Sequence, residues 1–340
     1  MNRRRFLQVG LAGLCMLAAQ DMHAQQPVRI KLGTLAPKGS IFQRVVSEMG
    51  EAFRAAEGPG SSFTIYGDGS QGSEADVVRR MRIGQLNAAM MTVVGLTEIE
   101  PSAGVLQKMP LFFDSWEEVE HVSQGLRPDI ERRFLEKGFV VVLWAEAGWV
   151  RFFSKEPAAK PADFKSRRIF AWAGDSEQVG VMKALGYAPV VLETADIMPG
   201  LQTGLIDTVP VTPTFALATQ LDRAAPNMID VRWAPVVGAL VVTRKAWDAM
   251  TPAGRDALRR AAPIAAKQLR EHQLRSDPEA IAAMEKRGLR VHRPGPEQQA
   301  AWKQLAERAY PMIRGHTVPA PVFDEAQRLL AQFRAAKARP

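Results

Sequence analysis

The sequence predicts an α/β protein of two domains, and three observations carry that prediction. Short apolar segments with strand periodicity alternate with amphipathic helical segments along most of the chain. About 315 residues follow an N-terminal leader, enough for two sizeable cores. No internal repeat and no long low-complexity linker interrupts the alternation.

The elements follow in order. Residues 28–35 alternate as a strand, and Ala36-Pro37-Lys38-Gly39-Ser40 is a turn whose Ser40 suits the N-cap of the next helix. That helix keeps Val45, Val46, Met49 and Phe53 on one face. Residues 63–66 read as a strand, the glycine-rich segment 67–74 leads into a helix over 75–83, and 88–94 is an apolar strand. This rhythm predicts a parallel sheet with helices on its faces. Residues 116–135 read as helix, 139–144, 150–154 and 168–172 as strands, 177–185 as helix and 190–192 as a short strand. A helix over 196–203 is closed by Gly204, and 239–243 is another apolar strand. From 252 to 286 the pattern is one long helix, open to interruption at Pro263 and Pro278, and helical patterns continue to the C-terminus.

The N-terminus reads as an export signal over residues 1–24. Arg3, Arg4 and Arg5 precede an apolar run over residues 9–19, which is shorter than the ~20 residues a membrane span needs. Asn2-Arg3-Arg4-Arg5-Phe6-Leu7-Gln8 fits the twin-arginine pattern, and cleavage is expected after Ala24. The single cysteine, Cys15, lies inside this leader behind Leu14, which argues against a lipid anchor. The exported chain is therefore expected in the periplasm without disulfides or thiolate metal sites. No later segment is apolar enough to span a membrane. The leader accounts for +2 of the formal charge of +8. The remaining cations are interspersed with acids, as in Glu131-Arg132-Arg133 and Glu285-Lys286-Arg287, which predicts a solvated surface and no nucleic-acid partner.

Motifs for catalysis are missing. Gly67-Asp68-Gly69-Ser70-Gln71-Gly72 is formally a dinucleotide-binding loop, but the acid after Asp76 is Glu98, beyond the next strand rather than at its end, which argues against a ribose contact. There is no nucleophile elbow, no S-x-x-K and no H-E-x-x-H. His121, His272, His292 and His316 lie among charged or loop residues without metal spacing, and Glu117-Glu118 sits in a polar helical pattern. The expectation is a protein with no enzymatic activity, cofactor or metal. Aromatic residues near strand ends are better represented. Trp149 shares a strand face with Arg151, and Phe170 with Trp172 and Arg168, while Phe112 and Phe113 follow Pro110. Core packing is the ordinary reading of any one aromatic. A buried guanidinium beside it needs a partner, often a ligand carboxylate.

Five stretches carry a family resemblance: 30–40 (Ile-Lys-Leu-Gly-Thr-Leu-Ala-Pro-Lys-Gly-Ser), 69–74 (Gly-Ser-Gln-Gly-Ser-Glu), 109–113 (Met-Pro-Leu-Phe-Phe), 183–186 (Lys-Ala-Leu-Gly) and 200–207 (Gly-Leu-Gln-Thr-Gly-Leu-Ile-Asp). In their order and spacing the chain resembles the solute-binding proteins of tripartite ATP-independent periplasmic (TRAP) transporters, the DctP family. The resemblance covers essentially the whole exported chain. It implies a type II-like periplasmic binding-protein fold, with a ligand cleft between two α/β domains and a long helix bracing both. It also implies delivery of ligand to TRAP membrane permease subunits driven by an ion gradient. With crossings near Gly148 and Pro235, one domain is expected to comprise 27–148 plus about 236–262. The other comprises 149–235 plus C-terminal helices over about 263–335.

Departures from the family pattern bear on the ligand. Members typically read Lys-Ile-Arg, with the arginine clamping a carboxylate, where this chain has Arg168-Ile169-Phe170. A polar Gln-Glu-Asn is replaced by Val209-Pro210-Val211, while Arg151 matches the family's other common arginine. Arg168 is an alternative clamp, displaced by about 6.6 Å along its strand. The candidate ligand contacts are Ala36, Gln71, Thr92, Phe112, Trp149, Arg151, Phe170, Trp172, Val211, Phe215 and Trp233. They describe an apolar, aromatic pocket for a small aromatic or hydrophobic organic acid, or a neutral apolar molecule, rather than a C4-dicarboxylate. Two alternatives stay open: a periplasmic sensor that presents its ligand to a signalling partner, and an enzyme on a binding-protein-like fold.

Overall fold

Two β-sheets organise the chain in the computed structural model, which describes residues 27–338. The leader, with its arginines, Cys15 and cleavage site, lies outside the described residues. The first lobe is built by β1 (Arg29–Thr34), α1 (Ile41–Glu57), β2 (Ser62–Tyr66), α2 (Glu74–Arg82), β3 (Ala88–Thr92), α3 (Val93–Ile99), α4 (Trp116–Glu136) and β4 (Phe139–Trp149). The second contains β5 (Arg151–Ser154), β6 (Arg168–Trp172), α5 (Ser176–Ala184), β7 (Ala188–Leu192), α6 (Ile197–Thr203), β8 (Thr208–Val211), α7 (Pro213–Ala218) and β9 (Asn227–Ile229). The chain then returns as β10 (Pro235–Thr243), α8 (Arg244–Ala249) and the long α9 (Pro252–Glu285). It ends with β11 (Arg290–His292), α10 (Pro296–Ile313) and α11 (Ala320–Lys337).

The first sheet has the order β2-β1-β3-β10-β4 and the second β11-β9-β5-β8-β6-β7. Neither is the parallel sheet that the strand–helix rhythm predicts. β1 pairs in parallel with β2 and β3, but β10 is antiparallel to both its neighbours. The reason is its route, since β10 arrives from the other lobe and slots between β3 and β4 running against them. In the second sheet β5 is likewise antiparallel to β8 and β9, while β6 runs parallel to β7 and β8.

Local chemistry sets the helix starts. Ser40 Oγ accepts the Gln43 N–H at 3.3 Å, and Ser73 closes a capping box with Asp76. Thr92 ends β3 two residues before the expected boundary, because its hydroxyl accepts the Val94 N–H at 3.2 Å and begins α3. Six elements are absent from the sequence reading: α3, β8, α7, β9, α8 and β11. Pro210 and Pro213 disguise β8 and α7. Pro210 lies within β8 opposite Phe152, and Pro213 occupies the first turn of α7, where its missing N–H costs nothing.

α9 runs unbroken through Pro263 and Pro278, 34 residues or about 51 Å of helix. Each proline frees the carbonyl four residues earlier, on Arg259 and on Leu274. All four residues are exposed, so water satisfies those carbonyls and the helix continues. Its Leu258 and Leu269 enter the core beneath the first sheet with Val45, Met49 and Phe53, and its Met284 enters the core of the second with Phe153 and Phe170. One helix thus braces both lobes. A third cluster, including Phe134, Trp149, Phe152 and Trp302, runs continuously from one lobe into the other.

Candidate functional site

The carboxyl ends of the parallel strands in the two sheets face each other across a cavity of about 440 Å³. Ligands of open α/β sheets bind at such ends, where the strands stop and backbone groups and loop side chains become available. The first lobe contributes the turn from Thr34 to Ser40 after β1, Met90, Met91 and Thr92 at the end of β3, and Ala145, Ala147 and Gly238 from β4 and β10. The second contributes Val150, Trp172 and Ala173 after β6, Glu193 and Thr194 after β7, and Pro210, Val211, Thr212, Thr214 and Phe215 around the β8–α7 junction.

The glycine-rich loop supports this wall from behind. Asp68 and Gly69 donate their N–H groups to Ala36 O and Thr34 O at 3.2 Å each, and the Asp68 carboxylate accepts the Lys38 N–H at 2.8 Å. The loop therefore holds the β1 turn in shape. Gln71 belongs to it and its carbonyl accepts Arg80 Nε at 3.1 Å, outside the cavity lining.

Charge in the lining is sparse. Glu74 is buried, and Thr92 N, Thr92 Oγ1 and Gly95 N all donate to its carboxylate at 2.7–2.8 Å. Burial pushes its pKa up, against the pull of these hydrogen bonds. Glu193 also titrates above the usual carboxylate range, from burial first and from neighbouring Asp76 and Asp196 next. Lys38 is the one cation among the lining residues, and it lies at the exposed rim.

Five of the eleven candidate contacts come together here: Ala36, Thr92, Trp172, Val211 and Phe215. The Trp172 and Phe215 rings meet edge to face at 6.2 Å. Apart from Gln71, the other five are engaged in side-chain packing or ion pairs elsewhere, four of them buried and Trp233 half-buried. Phe170 is fully buried in the second lobe's core, 4.8 Å from Trp172 between ring centres. Phe112 packs on Phe113 and Tyr310, Trp149 on Trp116, and Trp233 on Phe152 and Trp302. Arg151 is buried against Asp230, with Nε 2.9 Å from the carboxylate, and its neighbour Val150 lines the cavity instead. Desolvation lowers the Arg151 pKa, and Asp230 opposes that shift. Arg168 sits at the far end of β6, exposed and paired with Asp207 at 3.2 Å.

Strand parity explains the division. Phe170 and Trp172 do share a face, but that face is covered by the second lobe's core, and only Trp172, at the strand's end, reaches past it. Glu74, Met90, Met91, Thr212 and Thr214 were not singled out in the sequence. The useful signal is the carboxyl end of each strand, which for β8 is hidden by Pro210.

A model of the bacterial extracellular solute-binding proteins, family 7 (DctP), matches residues 32–314. The chain belongs to this family. Among family-7 and related proteins, a solute-binding protein of Albidiferax ferrireducens is 23% identical over 324 residues, covering 91% of this chain and 93% of that protein. The YiiZ protein of Salmonella typhimurium is 23% identical over 203 residues, and the chain spans only 61% of its length. Solved TRAP periplasmic solute-binding proteins share the fold. One from Fusobacterium nucleatum, with bound sn-glycerol-3-phosphate, superposes with a TM-score of 0.82 at 18% identity, covering 91% of this chain and 99% of that one. One from Xanthobacter autotrophicus, with bound β-D-galacturonate, gives 0.80 at 19%, covering 89% and 99%. The family-7 chain is thus a two-lobed solute-binding protein. Among its described residues no helix is long and apolar enough to cross a membrane, and no three acidic, histidine or cysteine side chains group as metal ligands.

Proposed function

We propose that this protein is a periplasmic TRAP-type receptor that captures a small organic acid with an aromatic or hydrophobic body and delivers it to membrane permease subunits. The observation that carries the reading is the cavity between the lobes, whose wall is formed by Phe42, Met90, Met91, Val150, Trp172 and Phe215 and contains no arginine. Fold relatives hold anions, galacturonate and glycerol phosphate among them. In this wall the single cation, Lys38, stands at the rim, so the acid group faces outward to Lys38 and the apolar body lies inward. A second carboxylate on the ligand would meet Glu74 and lose its hydration without a partner. A C4-dicarboxylate is therefore disfavoured.

Capture proceeds by closure of the lobes about the crossings, because a ligand touching both lobes stabilises the closed form more than the open one. Export through the twin-arginine route completes the reading, and replacement of Arg3 and Arg4 by lysine should leave the precursor in the cytoplasm; export of that variant would reject the route. Thermal shift assays test the ligand class. Phenylacetate, benzoate and 4-hydroxybenzoate should raise Tm by mass action, and succinate and malate should not. The reverse pattern refutes the proposal. Native mass spectrometry of freshly purified protein identifies any ligand retained from the cell.

A further inference from the structure

The chain passes between the sheets three times, at Val150, over residues 230–234 and along α9 on the way from β10 to β11. A single carboxylate on the long helix reaches both the first crossing and the cavity wall. Asp277 of α9 accepts the Trp149 N–H at 3.0 Å and the Thr214 hydroxyl at 3.3 Å. Thr214 lines the cavity, while Trp149 is the last residue of β4 before the crossing. Gly148 stands against the same carboxylate with φ at +113°, and a Cβ there would lie 2.9 Å from Asp277 Oδ1 and 3.0 Å from Thr212.

The second crossing is joined through Arg151. Its Nε donates to Asp230, at the start of the return segment, while its charge also acts on Asp277. Arg151 Nη1 is buried with no acceptor among the described residues. The guanidinium is therefore paired with Asp230 and is also within electrostatic reach of Asp277. We propose that Asp277 is the positioning residue that ties the cavity wall to the hinge and sets the angle between the lobes. Thr214 is its contact on the cavity side, and Arg151 is its link to the returning strand.

Burial pushes the Asp277 pKa up, and Arg151 and Arg232 pull it back. Protonation removes the attraction to Arg151, whose remaining facing carboxylate is Asp230. Acidification should then loosen the hinge.

The proposal rests on the receptor reading only in that the lobes move. Its test uses no ligand, so a failed ligand panel and a failed hinge test are separate results. Residues 16–340 contain no cysteine. Cysteines placed at Ala55 and Lys183, with Cys15→Ser where the leader is retained, carry spin labels on exposed helical sites of the two lobes. Double electron–electron resonance then reads the interlobe distance in ligand-free protein. Asp277→Asn, which copies the protonated acid, should roughly double the width of the distance distribution at neutral pH. Wild type should approach that width on acidification, while Asp277→Asn stays pH-independent. Thr214→Val should broaden the distribution less. The control is Asp222→Asn, which weakens the ion pair of the buried Asp222 with the exposed Arg287 in the second lobe and should lower Tm without broadening. A distribution for Asp277→Asn that superimposes on wild type at both pH values overturns the proposal. Equal broadening by Asp222→Asn does so too.

Discussion

Both oxygens of the Glu74 carboxylate are held by one residue, Thr92, whose N–H and hydroxyl each donate to it at 2.7 Å. The bond joins the start of α2 to the end of β3 and fixes the first-lobe wall of the cavity. Glu74→Ala strands the buried Thr92 and Gly95 N–H groups and should cost about 3 kcal/mol in urea denaturation.

The same residue predicts a pH dependence. Its pKa is raised in the folded protein, so its stabilising contribution is fully present below the ordinary carboxylate value and fades as pH rises through the raised one. Glu74→Gln should lack this slope. Identical pH profiles of the two proteins would remove the assignment.

Gly238 of β10 lies so close to β3 that a Cβ there would collide with the Met91 carbonyl oxygen. Both neighbours are paired backbone, which has no room to yield. Gly238→Ala should therefore destabilise by about 3 kcal/mol, and it should weaken ligand binding, since Gly238 and Met91 both line the cavity. An alanine variant with unchanged Tm would show that the strands can part.

Trp172 and Phe215 form the aromatic corner of the cavity. Truncating either to alanine should weaken binding of an aromatic acid by about 2 kcal/mol, roughly thirtyfold, from lost apolar burial. Lys38→Met should weaken acids and leave neutral analogues such as benzamide or benzyl alcohol unaffected. Calorimetric titration separates the two effects.

Arg151 offers the contrasting case. Arg151→Met leaves Asp230 without its buried partner, and because Asp230 retains contact with water the expected loss of stability is about 2 kcal/mol, below that for a fully buried pair. A direct contact role instead predicts that affinity for carboxylates falls while their neutral analogues bind normally. Stability and affinity measured on the same variant distinguish a hinge brace from a clamp.

Much of the architecture was legible because it depends on short-range rules. Ser40 and Ser73 cap helices through contacts within four residues, and the periodicity of Val45, Met49 and Phe53 marks a buried face whatever covers it. Those local patterns determined the alternation of elements, the long helix and the resemblance to a solute-binding family. Tertiary structure alone decided which side of each strand meets the cavity. Parity put Phe170 and Trp172 on one face, but only the packing of that face against Phe153, Met228 and Met284 made it core. The direction of β10 and the pairing of Pro210 depend on chain crossings and on partners at least 58 residues away in sequence. Asp277 shows the same limit. Its helix was readable, but its place beside Trp149 is a contact across 128 residues, which no local pattern encodes.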